Sequence, residues 1–297
     1  MFIFINFTSM NKLFLLVCFG TLLSACAVNT GEEQLKVMTF NIRYDNPRDS
    51  LNAWPNRKEM AVGAIIENEI DIAGMQEVLI GQQRYLEENL VGYDNYAVGR
   101  EDGVAKGEMG SVFFLKERFE VLDKSTFWLS ETPDSVGSKG WDAVLPRIVS
   151  WVKLLDKENK RELFFFNTHF SHVSDKARLN SAELLVSRVA NIAGNNPVII
   201  TGDFNCTNDS GPYSVIIDAD NGLPALYDTH YISENGHFGG LNTINGFGRS
   251  KKDAIIDYIF CNSSFDVLTH GILVIEKEGV YISDHYPVVA ELLFKKI

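Results

Sequence analysis

The sequence is short of cysteine. It has four cysteines among 297 residues, and only Cys206 and Cys261 lie beyond the N-terminal segment. Neither belongs to a C-x-x-C pair, and although export would permit a disulfide between them, their spacing does not establish one. No histidine and cysteine cluster has zinc-ligand spacing, and the H-x-x-H of His169 and His172 lacks a neighbouring helical glutamate. A zinc enzyme is therefore disfavoured.

Positive charge is also scarce. Lysine and arginine total 27 against 39 acidic residues, which gives a formal net charge of −12. Residues 1–26 contain one lysine and no acid, so the rest of the chain stands at −13. Binding long nucleic acid depends on cationic contacts to many phosphates. The balance disfavours DNA or RNA as a partner, although a local basic patch can coexist with an acidic total.

The N-terminal apolar run, Leu13 to Leu23, is too short to span a bilayer comfortably. It follows Lys12 and is typical of the hydrophobic region of a secretory signal. It leads into Leu-Ser-Ala-Cys26, which resembles the lipobox of bacterial lipoproteins, where the cysteine is lipidated and becomes the mature N-terminus. A start at Met10 would give a conventional signal, because residues 1–9 carry no positive charge. The alternatives are an ordinary signal peptide with an incidental cysteine, or a transmembrane anchor.

The chain divides into three parts on this interpretation. Residues 1–26 are the signal with its lipobox, residues 27–34 are a polar tether, and residues 35–297 are one domain without proline-rich linkers or internal repeats. We therefore expect an exported protein of the cell envelope, anchored to the membrane by lipid at Cys26. The sequence leaves open whether it occupies the periplasmic or the surface face.

Apolar strand-like runs recur through the domain, and several are apolar on both faces, as expected of strands packed between layers. Two of them flank "DKENKR" and predict an antiparallel hairpin. Helical patterns lie at residues 57–69 and 82–90 and, most clearly, from Ser174 to Ala193. An α/β sandwich of mixed or antiparallel sheets with helices outside them follows. The predicted strands are KVMTFNI, DIAGMQEV, YAVGR, SVFFLK, RIVSWVKLL, ELFFFNTHF, VIITGDF, AIIDYIF and PVVAELLF.

Polar side chains stand at the ends of these strands. Buried carboxylates without partners are costly, so a chain that repeats this placement is expected to gather the groups into one site. Asp203 and Asn205 alternate along one extended segment and point the same way. The residues at strand ends are Asn41, Glu77, His169, Asp203, Asn205, Asp257, Asp284 and His285.

Carboxylates, amides and imidazoles in one place suit the metal-assisted hydrolysis of a phosphoester. Carboxylate and amide oxygens bind a hard cation such as Mg²⁺, and a spare carboxylate can orient or deprotonate water. Taken singly, the residues have simpler interpretations: Asn41 as a turn cap, Glu77 as a solvated strand end, His169 as a hydrogen-bonded core histidine. Jointly they favour a catalytic site.

Six segments, in this order, resemble the endonuclease/exonuclease/phosphatase superfamily of DNase I-like metal-dependent phosphoesterases: TFNIR, GMQEV, NTHF, GDFN, IIDYIF and SDHYPV. The resemblance covers Leu35 to Phe294. It implies a four-layer sandwich of two β-sheets flanked by helices. It also implies an enzyme that hydrolyses phosphoric esters by in-line attack of an activated water, with positioning and electrostatics as the main sources of catalysis.

The resemblance further implies roles at matched positions. Glu77 would bind Mg²⁺ or Mn²⁺, with Asn41 beside it and Asp284 nearby. Asp203 would align or activate the water. The remaining roles fall to the other matched residues: Asn205 and His169 would hold the phosphoryl oxygens, and His285, oriented by Asp257, would stabilise the charge that builds on phosphorus.

The six motifs leave the substrate open. Abasic-site endonucleases usually carry an arginine before the "IDY" segment, and this sequence does not. The difference disfavours a role in DNA repair. Arg100, Lys106 and Arg147 lie in loop segments and suit phosphate contacts, although surface acids could pair with them instead. We expect a monomer that acts on a sugar phosphate, an inositol phosphate or a phospholipid headgroup. The alternatives are an exported nuclease and a lipoprotein that binds without catalysis.

Overall fold

Two β-sheets stack face to face in the computed structural model of the chain, which describes residues 34–218, 224–250 and 254–296. The predicted signal, its lipidation site Cys26 and all of the tether except Gln34 lie outside the described residues. Among the helices of the described ranges, none is both long enough and apolar enough to cross a bilayer. The elements of the fold all belong to one compact unit that begins at Glu32.

Fifteen strands and five α-helices make up the described part of the domain. A 3-10 helix, Pro47–Asn52, precedes the first α-helix. The helices are α1 (Trp54–Glu67), α2 (Ile80–Asn89), α3 (Asp175–Ala193), α4 (Gly211–Ile217) and α5 (Thr229–Ile232). The strands are β1 (Leu35–Asn41), β2 (Ile72–Val78), β3 (Tyr93–Tyr96), β4 (Met109–Leu115), β5 (Phe119–Trp128), β6 (Ile148–Asp156), β7 (Arg161–His169), β8 (Val198–Asp203), β9 (Leu226–Asp228), β10 (His237–Gly239), β11 (Asp257–Asn262), β12 (Phe265–Ile272), β13 (Glu276–Lys277), β14 (Val280–Tyr281) and β15 (Val288–Phe294).

Both large sheets mix parallel and antiparallel pairs. The first has the order β10-β12-β15-β1-β2-β4-β3, with β1 parallel to β2 and β10 parallel to β12. The second has the order β5-β6-β7-β8-β11-β9, with β7 parallel to β8. Strands β13 and β14 form a separate ribbon. The predicted hairpin around "DKENKR" is confirmed as the antiparallel pair β6 and β7.

Three buried clusters divide the molecule into four layers. Alternate side chains of a strand face opposite sides of its sheet, so each sheet feeds two clusters. Val37 and Phe165 lie in the cluster between the sheets, whereas Met38 packs with residues of α1 and α2 on the outside of the first sheet. Phe164 and Phe166 face α3 on the outside of the second sheet. The four-layer sandwich with outer helices is confirmed.

Helix α3 shows how local sequence signals set one of these layers. The Ser174 hydroxyl oxygen accepts a hydrogen bond from the amide of Ala177 at 3.0 Å and caps the first turn. Gly194 ends the helix with φ 57°, a conformation that favours glycine. The predicted apolar face is buried at Ala182, Leu185 and Val189. The prediction of a helix from Ser174 to Ala193 differs from the structure only in counting the cap.

Some strands escape the sequence patterns. The run YAVGR is not a strand, because β3 ends at Tyr96 and the chain then turns. Strand β5 was not predicted, since it is an edge strand whose middle residues are mostly exposed and polar. Strand β12 alternates buried and half-buried residues and lacks a continuous apolar run. Propensity for strands is weakest where one face meets water.

The two sheets approach each other closely beneath the strand ends. A Cβ at Gly74 of β2 would lie 2.1 Å from Thr201 Oγ1 and 2.7 Å from Asn167 Oδ1, so glycine is required there by space. Gln76 Nε2 donates a hydrogen bond to Asn167 Oδ1 at 2.6 Å, and Asn167 Nδ2 donates to the Met75 carbonyl at 2.8 Å. Because buried amides of this kind are fully directional, the pair fixes the register of one sheet against the other.

The two cysteines of the domain do not form a disulfide. Cys206 and Cys261 are both free and buried. Burial raises the pKa of the Cys206 thiol to about 11 and that of Cys261 to about 12, so both thiols are protonated and inert at neutral pH.

Candidate active site

Strand register brings three of the predicted residues side by side. Asp203 is the last residue of β8, and its neighbours in register are His169 at the end of β7 and Asp257 at the start of β11. On the facing sheet, Asn41 ends β1 beside Gln76 of β2. The strand ends of both sheets therefore meet at one edge of the sandwich.

Asp203 is the centre of the site. Its Oδ2 accepts a hydrogen bond from Asn41 Nδ2 at 2.9 Å and lies 3.3 Å from His169 Nε2 and 3.9 Å from His285 Nε2. Its Oδ1 accepts from the amide of Asn205 at 2.9 Å. Burial, together with the charge of Asp257, raises the pKa of Asp203 to about 7. A carboxyl group that titrates near neutrality suits proton transfer.

His285 and Asp257 form a buried pair. His285 Nδ1 donates to Asp257 Oδ2 at 2.9 Å, which aims Nε2 toward Asp203. Burial lowers the pKa of His285, but the charges of Asp257 and Asp203 outweigh it and raise the pKa well above its usual value. The imidazolium is therefore the stable form. The other oxygen of Asp257, Oδ1, has no hydrogen-bond partner among the described residues.

Glu77 sits in a β-bulge. The pairing of β2 with β4 shifts register between Met75 and Val78, and Glu77 has φ 62°. A bulge redirects a side chain, and a positive φ in a residue other than glycine costs of the order of 1 kcal/mol, a strain that is common at functional sites. Asn41 Nδ2 donates to Glu77 Oε1, and the amide of Tyr44 donates to Oε2, both at 3.1 Å. The carboxylate is thus held in one orientation.

A second carboxylate, Asp284, faces Glu77 across the guanidinium of Arg43. Arg43 Nη1 lies 3.9 Å from Glu77 Oε2 and 3.7 Å from Asp284 Oδ2, too far for direct hydrogen bonds. Burial raises the pKa of Asp284, and the nearby charge of Glu77 raises it further. Two half-buried carboxylates without a cation in direct contact match the oxygen donors that a divalent metal takes, so the residues fit such an ion.

A narrow pocket of about 10 Å³ lies beside Glu77 and His169 and is lined by two buried arginines. Arg100 is bonded by both Nη atoms to the Glu108 carboxylate, at 2.5 and 3.0 Å. Arg147 Nη2 donates to His172 Nδ1 at 2.8 Å, and its Nη1 has no partner among the described residues. Burial and the neighbouring Arg147 lower the pKa of His169 well below its usual value, so that ring is neutral. The pocket therefore presents an unpaired N–H donor, and its two arginines balance the charges of Glu77 and Glu108.

The structure brings together most of the residues predicted from sequence. Asn205 adjoins Asp203 with φ 51°, and its side-chain amide donates to the Phe170 carbonyl at 3.2 Å. Lys106 lies apart from the pocket: its side chain is exposed and its Nζ lies 3.0 Å from Glu101 Oε2. The residues that share the site or its pocket are Asn41, Glu77, His169, Asp203, Asn205, Asp257, Asp284, His285, Arg100 and Arg147.

Sequence reasoning assigned no role to several residues that build the site. Arg57, on α1, is fully buried and donates to the carbonyls of Ile42, Arg43 and Ile282, which ties the Asn41 and Asp284 loops together. An arginine in a helical pattern gives no sign of this, since helix surfaces usually carry such residues. Arg43, Glu108 and His172 were also not predicted, although Arg43 falls in the TFNIR motif and His172 in the H-x-x-H pattern.

The loop after β10 supports Asp284 from behind. The amides of Asn245 and Gly246 donate to the Asp284 carbonyl at 2.8 and 3.0 Å, and Ile244 pairs with His285 in an isolated bridge. The Thr243 hydroxyl accepts from the amides of Ile256 and Asp257. This glycine-rich segment, residues 238–248, begins in β10 and holds the backbone around Asp257 and Asp284.

Family comparison agrees with this geometry. Residues 38–285 match the model of the endonuclease/exonuclease/phosphatase family. The chain belongs to this family. Its members hydrolyse phosphoesters and generally depend on a divalent metal, and the carboxylate and histidine groups around Asp203 could hold such an ion.

Solved structures of family members resemble this one closely. An endonuclease/exonuclease/phosphatase from Bacteroides vulgatus is 40% identical with a TM-score of 0.84, and the match covers 89% of this chain and 100% of that one. A family protein from Bacteroides thetaiotaomicron is 36% identical with a TM-score of 0.83, over 89% and 99%. A mannosyl-6-phosphatase of Bacteroides thetaiotaomicron is 37% identical with a TM-score of 0.80, over 88% and 100%. The family and the fold expected from the six motifs are confirmed.

Proposed function

We propose that this family member uses Mg²⁺ or Mn²⁺ to hydrolyse a phosphoester of a small or medium-sized molecule, with a sugar phosphate as the first candidate. The observation that carries the proposal is the arginine pocket. It places the unpaired Nη1 of Arg147 in the same narrow space as Glu77 and His169. A buried, unpaired guanidinium N–H needs an anionic or carbonyl oxygen, and a substrate phosphate or hydroxyl supplies one.

Glu77, Asn41 and Asp284 would hold the metal. When bound, the ion supplies positive charge beside the phosphoryl oxygens and helps to align the substrate. The fit is supported by the oxygen-rich donor set and by the lack of a directly contacting cation between Glu77 and Asp284. Arg43, whose Nη1 lies 3.9 Å from Glu77 Oε2 and 3.7 Å from Asp284 Oδ2, would balance the remaining negative charge.

The chain's own residues would divide the work of hydrolysis. Asp203 would orient the attacking water and accept its proton, a role favoured by its pKa near 7. His285, kept charged by Asp257, would stabilise the negative charge that grows on the phosphoryl oxygens. Asn205 would donate its side-chain amide to the same oxygens. His169 is neutral and carries one N–H, which donates either to Asp203 or to the phosphoryl group, but not to both.

Two features favour a small substrate over nucleic acid. The pocket beside Glu77 is narrow, and Ile148 and Met109 are among the residues that line it. The net charge of −12 opposes the approach of a long polyanion. The 37% identity to a mannosyl-6-phosphatase makes hexose 6-phosphates the natural first substrates.

A substrate panel tests the proposal. Purified protein with Mg²⁺ is offered hexose 6-phosphates, inositol phosphates, phospholipid headgroup esters and a single-stranded oligonucleotide, each with and without EDTA. We expect phosphate release from a sugar phosphate and its loss in EDTA. Cleavage of the oligonucleotide alone would support the nuclease alternative. Binding of a sugar phosphate without turnover in any metal would support the non-catalytic lipoprotein.

We also propose that the enzyme is exported and anchored to the cell envelope by lipid on Cys26. The proposal is supported by the apolar run before Leu-Ser-Ala-Cys. In a bacterial host, the full chain should fractionate with membranes and incorporate labelled fatty acid. Cys26→Ala should lose both the label and the membrane association. Labelling that persists in Cys26→Ala would refute the assignment.

A further inference from the structure

Three histidines outside the catalytic site meet in space. His230 lies on α5, His237 on β10 and His270 on β12. The ring centroids of His230 lie 4.7 Å from His237 and 4.9 Å from His270, and those of His237 and His270 are 5.0 Å apart. One nitrogen from each ring lies within 4.8 Å of the other two. The three ring centroids thus form a nearly equilateral triangle.

The hydrogen bond of His237 fixes which nitrogen points into the triangle. His237 Nε2 donates to the Gly240 carbonyl at 2.6 Å, so its Nδ1 is the lone-pair nitrogen and accepts from His270 Nδ1–H at 2.8 Å; His270 would carry that proton on Nε2 when an ion is bound. Metal-binding histidines commonly donate the opposite N–H to a backbone carbonyl, because this locks the ring and its tautomer. The arrangement at His237 is of that kind.

His230 supplies a second sign that a ligand is expected. Its Nδ1 is buried and has no hydrogen-bond partner among the described residues. A buried, unpaired ring nitrogen costs free energy, and a bound ion would remove that cost. Neutral imidazole is the form of histidine that ligates metals.

We propose that His230, His237 and His270 form a second metal site that takes Zn²⁺ or a similar divalent transition metal. Imidazole nitrogen suits such ions, whereas the oxygen donors around Glu77 suit Mg²⁺. Three histidines leave a fourth tetrahedral position for water. Bonds of about 2.0–2.1 Å put tetrahedral nitrogens about 3.4 Å apart, so the partly exposed rings of His230 and His237 need move by only about an ångström.

The location gives the site a structural role. Strands β10 and β12 form one edge of the first sheet, and α5 directly follows β9, the edge strand of the second sheet. A metal held by all three histidines would join the two sheets at this edge. Since it would bind only the folded chain, it would stabilise the native state in proportion to its concentration.

The alternative is a stack of neutral imidazoles held by the single hydrogen bond between His237 and His270. This arrangement would bind Zn²⁺ no more tightly than scattered surface groups do. It also leaves the unpaired nitrogen of His230 without an explanation. The two possibilities therefore differ in measured metal affinity.

The test measures Zn²⁺ binding by the full chain with Mg²⁺ in large excess, so that the Glu77 site is occupied by Mg²⁺. We expect one tightly bound Zn²⁺ per chain, a rise in Tm on adding Zn²⁺, and a tetrahedral visible spectrum when Co²⁺ replaces it. His230→Ala and His237→Gln should each weaken Zn²⁺ binding by about 100-fold or more and abolish the Tm rise. Both side chains are partly exposed, so both variants should fold.

Two control variants locate the bound ion. Tyr231→Ala changes the exposed neighbour of His230 and should keep tight Zn²⁺ binding and the Tm rise. Glu77→Gln should also keep them. Loss of tight binding in Glu77→Gln, with retention in His230→Ala, would assign the Zn²⁺ to the catalytic site and overturn the proposal. Absence of any tight site in the wild type would do the same and would favour the neutral imidazole stack.

Discussion

Two buried charge clusters lie at opposite ends of the sandwich and are built differently. At the end away from the site, Arg118 bridges Asp71 and Asp156, with distances of 3.0 and 2.9 Å from its Nη atoms, and also donates to the Gln34 carbonyl at 2.8 Å. Asp156 accepts further bonds from the amides of Glu158 and Asn159. None of the charged groups of this cluster is among the described buried atoms that lack a partner.

At the catalytic end, by contrast, several buried polar atoms have no hydrogen-bond partner among the described residues. Unpaired buried atoms occur there on Asp257, His169, Arg147 and Arg100. The comparison distinguishes a cluster that stabilises the fold from a cluster that binds a ligand. A structural cluster satisfies its charges internally, whereas a binding site keeps donors and acceptors unpaired for a substrate and a metal. Mutations at the two ends should therefore separate stability from activity.

The largest expected effect is on turnover at the open end. Asp203→Asn keeps the shape of the side chain but removes the group that would accept a proton. We expect turnover to fall by about 10³-fold or more, with the urea midpoint unchanged or higher, because a costly buried charge is lost. Steady-state kinetics on the best substrate and urea titration measure both. Near-normal turnover would contradict the proposed mechanism.

The closed end should respond in the opposite way. Asp156→Asn removes one partner of a buried pair and leaves the Arg118 charge poorly compensated. We expect a loss of about 3–5 kcal/mol in the free energy of unfolding, with kcat of the folded protein unchanged. Urea unfolding and kinetics on the same preparation check this. A large fall in kcat without loss of stability would mean that the two ends are not independent.

A smaller effect is expected in the arginine pocket. Arg147→Lys keeps the charge but cannot present the planar donors of a guanidinium. We expect KM for the phosphoester to rise by about 10-fold or more, with a smaller change in kcat. The matched control is Lys153→Ala. Lys153 lies on β6 and pairs with Glu162 on β7, and this variant should change neither KM nor kcat. Equal effects of the two variants would remove the argument for a substrate contact.

The smallest expected effect is the pH dependence of stability at the open end. The pKa of Asp203 is raised in the folded state above its usual value of 3.8, so the folded protein binds more protons than the unfolded chain between about pH 4 and 7. The contribution of this carboxyl to the free energy of unfolding is fully present at low pH and is lost as pH rises through about 7. In EDTA, the stability of wild type relative to Asp203→Asn should fall over that interval. A rise would show that burial does not dominate this carboxyl.

Much of the fold was predictable because its signals are local. The cap at Ser174, the apolar face of α3 and the hairpin of β6 and β7 each depend on residues close together in the chain. The edge strand β5 was missed, since its exposed polar residues lack the pattern of a buried strand. The residues of the site were found from their positions at strand ends, because that rule too is local.

Other parts of the site depend on contacts between distant segments. The sequence near Glu108 does not indicate that its carboxylate accepts two hydrogen bonds from Arg100. The sequence near Arg57 does not indicate that its guanidinium joins the loops that carry Asn41 and Asp284. The histidine triangle is the clearest case. His230, His237 and His270 have no recognised ligand spacing, and the sequence alone disfavours a zinc site.

The layers, the family and the chemical character of the site follow from the amino-acid sequence, because apolar periodicity, helix caps and the six short motifs are local patterns along the chain. Tertiary contacts determine which buried charged groups have partners for all their polar atoms and which do not. The distances involved are a few ångströms between segments such as Asp203 and Asp257 or His237 and His270, and strand pairing within each sheet sets them.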